Sequence, residues 1–408
     1  MKIAAVIAEY NPFHNGHAYQ IDQIKNTYGY DYVIVIMSGD FTQRGIPAIL
    51  DKYERTKMAL GGGADLVLEL PACYATASAE FFASGAVSIL NGLGCVDALF
   101  FGSESGNCDL LQKAASQLAF ESSAYKESLS RHLQQGVSFA KARIQALGTT
   151  GGFSASELEA LSMPNDILGL EYCKALLRFN STIKPLAIRR IGTGYHDLHH
   201  SGNIASAKAI REKLKKPLSA DNVSSLVPGT TATLLQQTDS DILLSMDDFS
   251  SILQYQLWMQ EDHLENYQDC TVDIANRIRA KLPSFTCVSE FLLSLKTKEL
   301  AYTRLNRVLT HILLSITKED FISYTQNEYS GYARILGFSS RSRGSLLSVI
   351  KENTSLPLIA KPADFEPAGR QASMFHTDIL SSHIYQTVRM KKSGIKLIPE
   401  LKHSPIVM

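Results

Sequence analysis

Five short runs of almost unbroken apolar residues constrain this chain more than any other feature: 2–10 (KIAAVIAEY), 32–38 (YVIVIMS), 64–70 (ADLVLEL), 96–102 (VDALFFG) and 183–191 (IKPLAIRRI). Gly or polar turn residues stand close to most of their C-terminal ends. A strand with one wet face alternates apolar and polar residues, whereas a strand covered on both faces stays apolar throughout, as in a parallel sheet between layers of helices. Helix-spaced apolar patterns fall between the runs, at 15–28, 51–61, 77–92 and 106–149. Strand and helix therefore alternate, which predicts right-handed βαβ crossovers and an open α/β sheet over about the first 215 residues.

Beyond Pro217 the pattern changes. Segments 230–268, 271–281, 288–296, 297–317, 318–326 and 341–353 carry helix-spaced apolar positions and few candidate strands, so the second half reads as mainly helical. A length of 408 residues exceeds what one hydrophobic core usually organises, and the expected division is 1–217 and 218–408. In 297–316, Leu300, Leu305, Val308, Leu309, Ile312 and Leu313 form one stripe, with Lys298, Arg304, Arg307 and His311 off it or at its edge; a solvated charged face is the default reading.

Composition excludes more than it assigns. The chain is 45% hydrophobic and 20% charged, which removes disorder as a general description. Lys plus Arg equals Asp plus Glu at 40 each, so any face that attracts an anionic polymer must be local. Six widely spaced cysteines with no C-x-x-C pair are expected to be free thiols. The apolar N-terminal stretch is too short for a membrane span and lacks a signal-peptide cleavage pattern, so a cytoplasmic protein with no membrane partner is expected.

The segment Glu9-Tyr10-Asn11-Pro12-Phe13-His14-Asn15-Gly16-His17 lies where the first strand ends and the first helix begins. In open α/β sheets that is where anionic ligands bind, against the free N–H groups of a helix N-terminus. Gly16 permits close backbone approach, and His14 and His17, three apart, face one ligand from the first helical turn. Two imidazoles there suit the charge that builds on phosphate oxygens when a nucleophile attacks the α-phosphate of ATP. A metal site would need a third ligand that the neighbouring sequence does not clearly supply. The combination resembles the HIGH motif of class I aminoacyl-tRNA synthetases and small nucleotidyltransferases. The resemblance implies a Rossmann-like HIGH-type nucleotidyltransferase domain, ATP as substrate, and His14 and His17 as the catalytic pair.

That class also carries a late loop opening a helix around the β- and γ-phosphates. Asn203-Ile204-Ala205-Ser206-Ala207-Lys208-Ala209-Ile210-Arg211 resembles its I-S-x-x-x-I-R form, with Ala205 in place of the usual first serine, after a loop containing Gly192, Gly194, His196, His199, His200 and Gly202. Ser206 and Arg211 are the candidate contacts; a helix cap and an exposed helix charge are their plainer readings.

The runs MSGDFTQRGIPAILDKYERTKMALGGGADLVLELP, SAEFFASGAVSIL and FFGSES are similar to the bacterial tRNA(Met) cytidine acetate ligases, densely in the first half and more loosely beyond. The resemblance implies activation of acetate by ATP as acetyl-adenylate, then acetylation of N4 of the wobble cytidine of elongator tRNA(Met). By matching motif it implies ATP contacts from Ile7-Ala8-Glu9-Tyr10-Asn11-Pro12-Phe13-His14-Asn15-Gly16-His17-Ala18-Tyr19-Gln20, together with Gly102, Asn165 and Arg190. Mg²⁺ is expected from ATP chemistry, without a visible ligand set. Gln43 and Arg44, with Asp51, Lys52 and Arg55 on the next helix, are candidates for the acetate or cytidine site, a salt-bridged helix face being the alternative. Glu104 is a candidate for ribose or Mg²⁺, or else solvated. Candidate tRNA phosphate contacts are Arg304, Arg307, Arg334, Arg341, Arg343, Arg389, Lys391, Lys392 and Lys396, with Gly337, Ser339, Ser340, Ser342 and Gly344 expected to make the middle cluster a flexible loop. Two alternatives compete: a small-molecule nucleotidyltransferase, which needs little beyond the α/β half, and an RNA-binding module, which leaves H-x-G-H unexplained.

Overall fold

The computed structural model describes residues 1–191, 203–214, 221–238, 242–297, 300–326 and 328–408. The Gly/His-rich loop at 192–202 and Lys298 lie outside the described residues. The five apolar runs form β1 (Ile3–Ala8), β2 (Tyr32–Ser38), β3 (Leu66–Leu70), β4 (Ala98–Ser103) and β5 (Lys184–Arg189). They pair in parallel in the order β3-β2-β1-β4-β5. Both faces are covered, as the unbroken apolar pattern requires: Ile3, Ala5 and Ile7 enter one core, and Ala4 and Val6 the other. Chain order reverses at β1, because β2 and β3 extend one way and β4 and β5 the other, and such a switch point opens a crevice at the strands' carboxyl ends.

The sheet does not stop at residue 217. Strand β6 (Ala333–Phe338) pairs antiparallel with β3, and the short β7 (Leu358–Ile359) and β8 (Ile406–Val407) pair with β6. The expectation of a flexible basic loop at 334–344 is corrected accordingly. All six residues of β6 are buried, and Ser342 is buried with its hydroxyl donating to the Asp65 carbonyl.

The helices that bear on the site are α1 (Asn15–Asp22), α2 (Lys52–Gly61), α3 (Ala79–Leu93), α4 (Pro164–Arg178), α5 (Ala207–Leu214), α6 (Val272–Lys281), α7 (Tyr302–Leu313) and α8 (Arg370–Ser393). In α7 the apolar stripe is buried as expected, but His311 is not on a solvated face. It is fully buried between the Gln268 and Thr76 carbonyls.

A buried ionic cluster joins the two halves. Lys52 on α2 lies 2.7 Å from both Glu69 of β3 and Glu400 near the C-terminus, and Arg334 of β6 contacts the same two carboxylates. Tyr53 and Ser382 donate to Glu400 at 2.8 and 2.6 Å. Lys52 and Arg334 are therefore corrected from ligand contacts to buried partners of carboxylates. Asp51 accepts from Glu54 N as the cap of α2 and pairs with Arg389 at 2.6 Å, so Asp51 and Arg389 likewise belong to the framework. The cysteines are free, as expected. Among the described residues no helix is long and apolar enough to cross a membrane.

Candidate active site

The carboxyl ends of β1, β4 and β5 open into a cavity of about 680 Å³, within the usual range for a small-molecule site. His14 is the N-cap of α1. Its Nδ1 accepts from Gly16 N at 3.1 Å, while His17 Nδ1 accepts from His14 N at 3.2 Å, so two histidines form a reciprocal capping box. The rings stack with centroids 3.7 Å apart and planes 21° apart. A ring nitrogen that accepts a hydrogen bond carries no proton, so in each neutral imidazole the proton lies on Nε2. Burial, reinforced by the positive charge of Arg190, lowers the His14 pKa to about 4. Burial, with His14 and Arg190, holds His17 well below its ordinary value. At neutral pH the pair therefore presents two neutral Nε2–H donors.

Arg190 follows β5, its N–H donating to the Ser103 carbonyl at 2.9 Å. Its side chain crosses Gly102, where an added Cβ would stand 3.3 Å from Arg190 Cγ, and its buried Nε has no hydrogen-bond partner. A bare glycine thus makes room for a guanidinium with a donor to spare. Glu104 is neither solvated nor free: it accepts from the N–H groups of Asn165 (3.1 Å) and Asp166 (3.1 Å) and from the Asn165 amide, so it caps α4. Asn165 lines the cavity, with Leu168 and Tyr172 below it at helical spacing. Phe82 and Phe101 complete that apolar wall. The i, i+3, i+7 spacing in PNDILGLEY is the signal that points to Leu168 and Tyr172, which the sequence reading does not single out.

The backbone of the motif is held by donors from elsewhere. Arg55 donates to the Glu9 carbonyl at 2.7 Å and the Ser38 carbonyl at 3.0 Å, binding the ends of β1 and β2 rather than a substrate. Arg211 on α5 donates to the Asn11 carbonyl at 2.7 Å. The Asn15 amide donates to the Asn203 and Ser225 carbonyls at 2.8 and 2.9 Å. Ser206 caps α5, accepting from Ala209 N at 3.2 Å, and it also lines the cavity. The two motif segments are therefore in direct contact, although Arg211 stands behind the cavity wall.

Of the motif segment, Ile7, Ala8, Glu9, Tyr10, Asn11, His14, Gly16, His17, Tyr19 and Gln20 reach the cavity. Pro12, Phe13, Asn15 and Ala18 do not; Phe13 is fully buried beneath Gly62. Gln43 and Arg44 line it from the hairpin Phe41–Thr42/Ile46–Pro47, and Glu9 accepts from Gln43 N at 3.0 Å. Beside them stand Thr303 and Arg307 of α7. Arg307, expected on an RNA-facing surface, is a wall of this cavity, held by Asp269 at 3.3 Å. Gly45, at φ +66°, lets the hairpin press against α7: an added Cβ would lie 2.4 Å from Arg307 N.

Four basic candidates are elsewhere. Because β6 runs antiparallel to β3, its end returns to the amino edge of the sheet, where Arg341 bonds Asp65 at 2.8 Å and also donates to the Asp31 carbonyl. A strand of six residues spans about 20 Å, so Arg341 and Arg343 face away from the cavity. Lys392 is paired with Asp248 at 2.9 Å; Lys391 beside it is exposed.

A parallel sheet with a histidine-capped helix at its switch point defines a HIGH-type nucleotidyltransferase. Consistently, residues 1–396 match the family described as HIGH Nucleotidyl Transferase. The chain is 36% identical to a tRNA(Met) cytidine acetate ligase of Clostridium novyi over 100% of both chains. It is 40% identical to one of Acetivibrio thermocellus, over 90% of this chain and 89% of that one. Its structure is similar to a crystal structure of Thermotoga maritima TmcAL bound with alpha-thio ATP, at TM-score 0.91 and 29% identity over 100% of both chains. The chain therefore belongs to the tRNA(Met) cytidine acetate ligase family of HIGH nucleotidyl transferases.

Proposed function

We propose that this protein is an ATP-dependent ligase that joins acetate to N4 of the wobble cytidine of elongator tRNA(Met), in the cytoplasm where that RNA resides. The supporting observation is the stacked pair of neutral histidines whose Nε2–H donors stand at a helix N-terminus beside Arg190. ATP occupies the cavity with its triphosphate toward α1, contacted by the cavity-lining motif residues, Gly102, Asn165, Arg190 and Ser206. A carboxylate oxygen of acetate attacks the α-phosphorus, the bond to the β-phosphate oxygen breaks, and pyrophosphate leaves. His14 and His17 donate to the oxygens on which charge accumulates, and Arg190 neutralises the phosphates. Neutral donors suit this task, because they stabilise the transition state without giving up a proton.

In the second step N4 of cytidine attacks the acetyl carbon, the bond to the AMP oxygen breaks, and N4 loses a proton. Gln43, Arg44, Thr303 and Arg307, on the side formed by the hairpin and α7, line the approach for acetate and cytidine. Among the described residues no group of three His, Cys, Asp or Glu side chains is placed to hold a metal. Mg²⁺ would enter with the nucleotide and would neutralise phosphate charge beside Arg190.

The test is acetate-dependent release of AMP and pyrophosphate by the purified protein, followed by mass analysis of nucleosides from added tRNA. N4-acetylcytidine with AMP supports both steps. Absence of acetate-dependent turnover, with or without tRNA, rejects the assignment.

A further inference from the structure

We infer that an open groove of about 950 Å³ between α6 and α7 is the docking site for the tRNA backbone. The inference rests on the proposed function and adds to it the surface that delivers the RNA. Arg277 and Lys281, four residues apart on α6, face this groove from one side, and Arg304 of α7 faces it from the other. Thr271 and Asn276 add neutral donors, and among the described residues Asp273 is the one acidic side chain on the groove wall. Among the described residues, none of the three cations has a hydrogen bond or ion pair from its side chain. Neighbouring basic residues are paired: Arg279 with Glu265 at 2.7 Å, and Arg307 with Asp269.

Folding alone gives no reason for this arrangement. Asp273 stands four residues before Arg277 and offsets part of the charge, but Arg277 and Lys281 repel at i, i+4, and three cations against one carboxylate leave the concavity with a positive potential. A polyanion removes that repulsion and releases counterions as it binds. Polar donors beside the cations suit phosphate and ribose oxygens, the contacts that position a nucleic acid without reading its sequence.

The location supplies the second argument. Arg304 faces the groove, whereas Thr303 and Arg307 on the next face of α7 line the ATP cavity. One helix, about 10 Å across, therefore separates the two sites. An RNA loop anchored in the groove has an unstacked base within reach of an acyl group in the cavity, as recognition of a single-stranded loop requires. Arg341 and Arg343, at the opposite edge of the sheet, lack this adjacency.

The experiment compares the full-length protein with the triple variant Arg277→Gln, Lys281→Gln, Arg304→Gln by fluorescence anisotropy with labelled elongator tRNA(Met), between 50 and 200 mM salt. Each phosphate contact contributes roughly 0.7 to 0.9 to the slope of log affinity against log salt, so three contacts flatten it by about 2 to 3. Over that range wild type is expected to lose about 20- to 40-fold more affinity than the variant. The single variant Arg277→Gln should flatten the slope by about 1, which keeps the test available if the triple variant melts early. An unchanged slope in a folded triple variant, or a loss that instead follows Arg341→Gln with Arg343→Gln, overturns the groove. The binding curves do not depend on acetate chemistry, so a wild-type protein that binds tRNA through the groove but shows no acetate-dependent turnover would reject the function and leave the groove standing.

Discussion

Replacing Arg190 with glutamine separates two roles proposed for this guanidinium. Its first role is toward the ligand: a charged donor over Gly102, with a buried Nε that has no acceptor within the protein. A hydrogen bond to a charged group contributes about 1.5–3 kcal/mol, which at about 1.4 kcal/mol per factor of ten is roughly 10- to 150-fold in kcat/KM for ATP. Its second role is toward the histidines, since its charge is one cause of the low pKa values of His14 and His17. Burial is the larger cause at both, so removing the charge should raise both pKa values yet leave them below 6.5. The variant's histidines then stay neutral at pH 7.5, and its defect must lie in phosphate contact rather than in protonation. Acetate-dependent pyrophosphate release over a range of ATP concentrations gives kcat/KM, and proton NMR titration of the ring protons gives the pKa of His14. The expected result is a loss in kcat/KM of the stated size, flat between pH 7 and 9, with His14 titrating above about 4. A kcat/KM within threefold of wild type, or a His14 pKa that falls, refutes the reasoning.

Removing the imidazoles themselves, as His14→Ala or His17→Ala, should lower kcat for pyrophosphate release by about 10²- to 10³-fold, with tRNA affinity measured by anisotropy nearly intact. The stability difference between wild type and His14→Ala should depend on pH. The native ring stays neutral down to about 4 while the unfolded ring binds a proton below 6.5, so its stabilisation is complete above pH 6.5 and falls by up to about 3 kcal/mol as pH drops to 4. The variant pair is the right comparison, because burial raises the pKa of Asp40 to about 6 and of Asp378 to about 7, and these acids tilt the whole-protein curve the other way. A gap in denaturation midpoints that is constant from pH 7.5 to 4.5 would count against a neutral buried His14. Glu400→Gln leaves Lys52 and Arg334 sharing Glu69 alone, and it should cost about 3–5 kcal/mol in urea unfolding. A cost below about 1 kcal/mol would mean that water enters the cluster.

The first half of the fold was legible because its strands are buried on both faces, and an unbroken apolar run has few other uses. His14 and His17 were legible because strand end, glycine and helix start occur together with them. What was hidden depends on pairing between distant residues. Arg334 lends β6 a charge that looked like part of a basic loop, but in the fold it meets Glu69 and Glu400, from two other parts of the chain. Glu104 could be weighed only as a free carboxylate, since its partners are the N–H groups of a helix that starts sixty residues later. Lys52 and Asp51 sit where a substrate contact would be sought, and nothing in a linear pattern distinguishes a cation that faces a ligand from one that faces a buried carboxylate. Arg307 was counted with the surface cations because its helix lies far beyond the motif, yet that helix closes the cavity.

That closure explains why the second half is joined to the sheet rather than attached by a linker. On the proposed mechanism, acyl transfer requires the face of α7 carrying Thr303 and Arg307 to keep a fixed distance from the α-phosphate side, because a reacting amine misplaced by about 1 Å can cost two orders of magnitude in rate. Several contacts set that distance. The Thr310 hydroxyl donates to the Gly45 carbonyl at 2.9 Å, holding α7 on the hairpin, and Gly45 permits the approach. Tyr385 of α8 donates to the Ala48 carbonyl at 2.8 Å just beyond the hairpin, and Ser382 bridges Asp40 and Glu400 at the buried ionic cluster. Hairpin, cluster and β6 thus carry the geometry of the sheet's carboxyl edge into the helical half. The histidines and the proposed acceptor wall belong to different parts of the sequence but to one bonded frame, and a substitution in the cluster is connected through these bonds to the α7 side of the cavity.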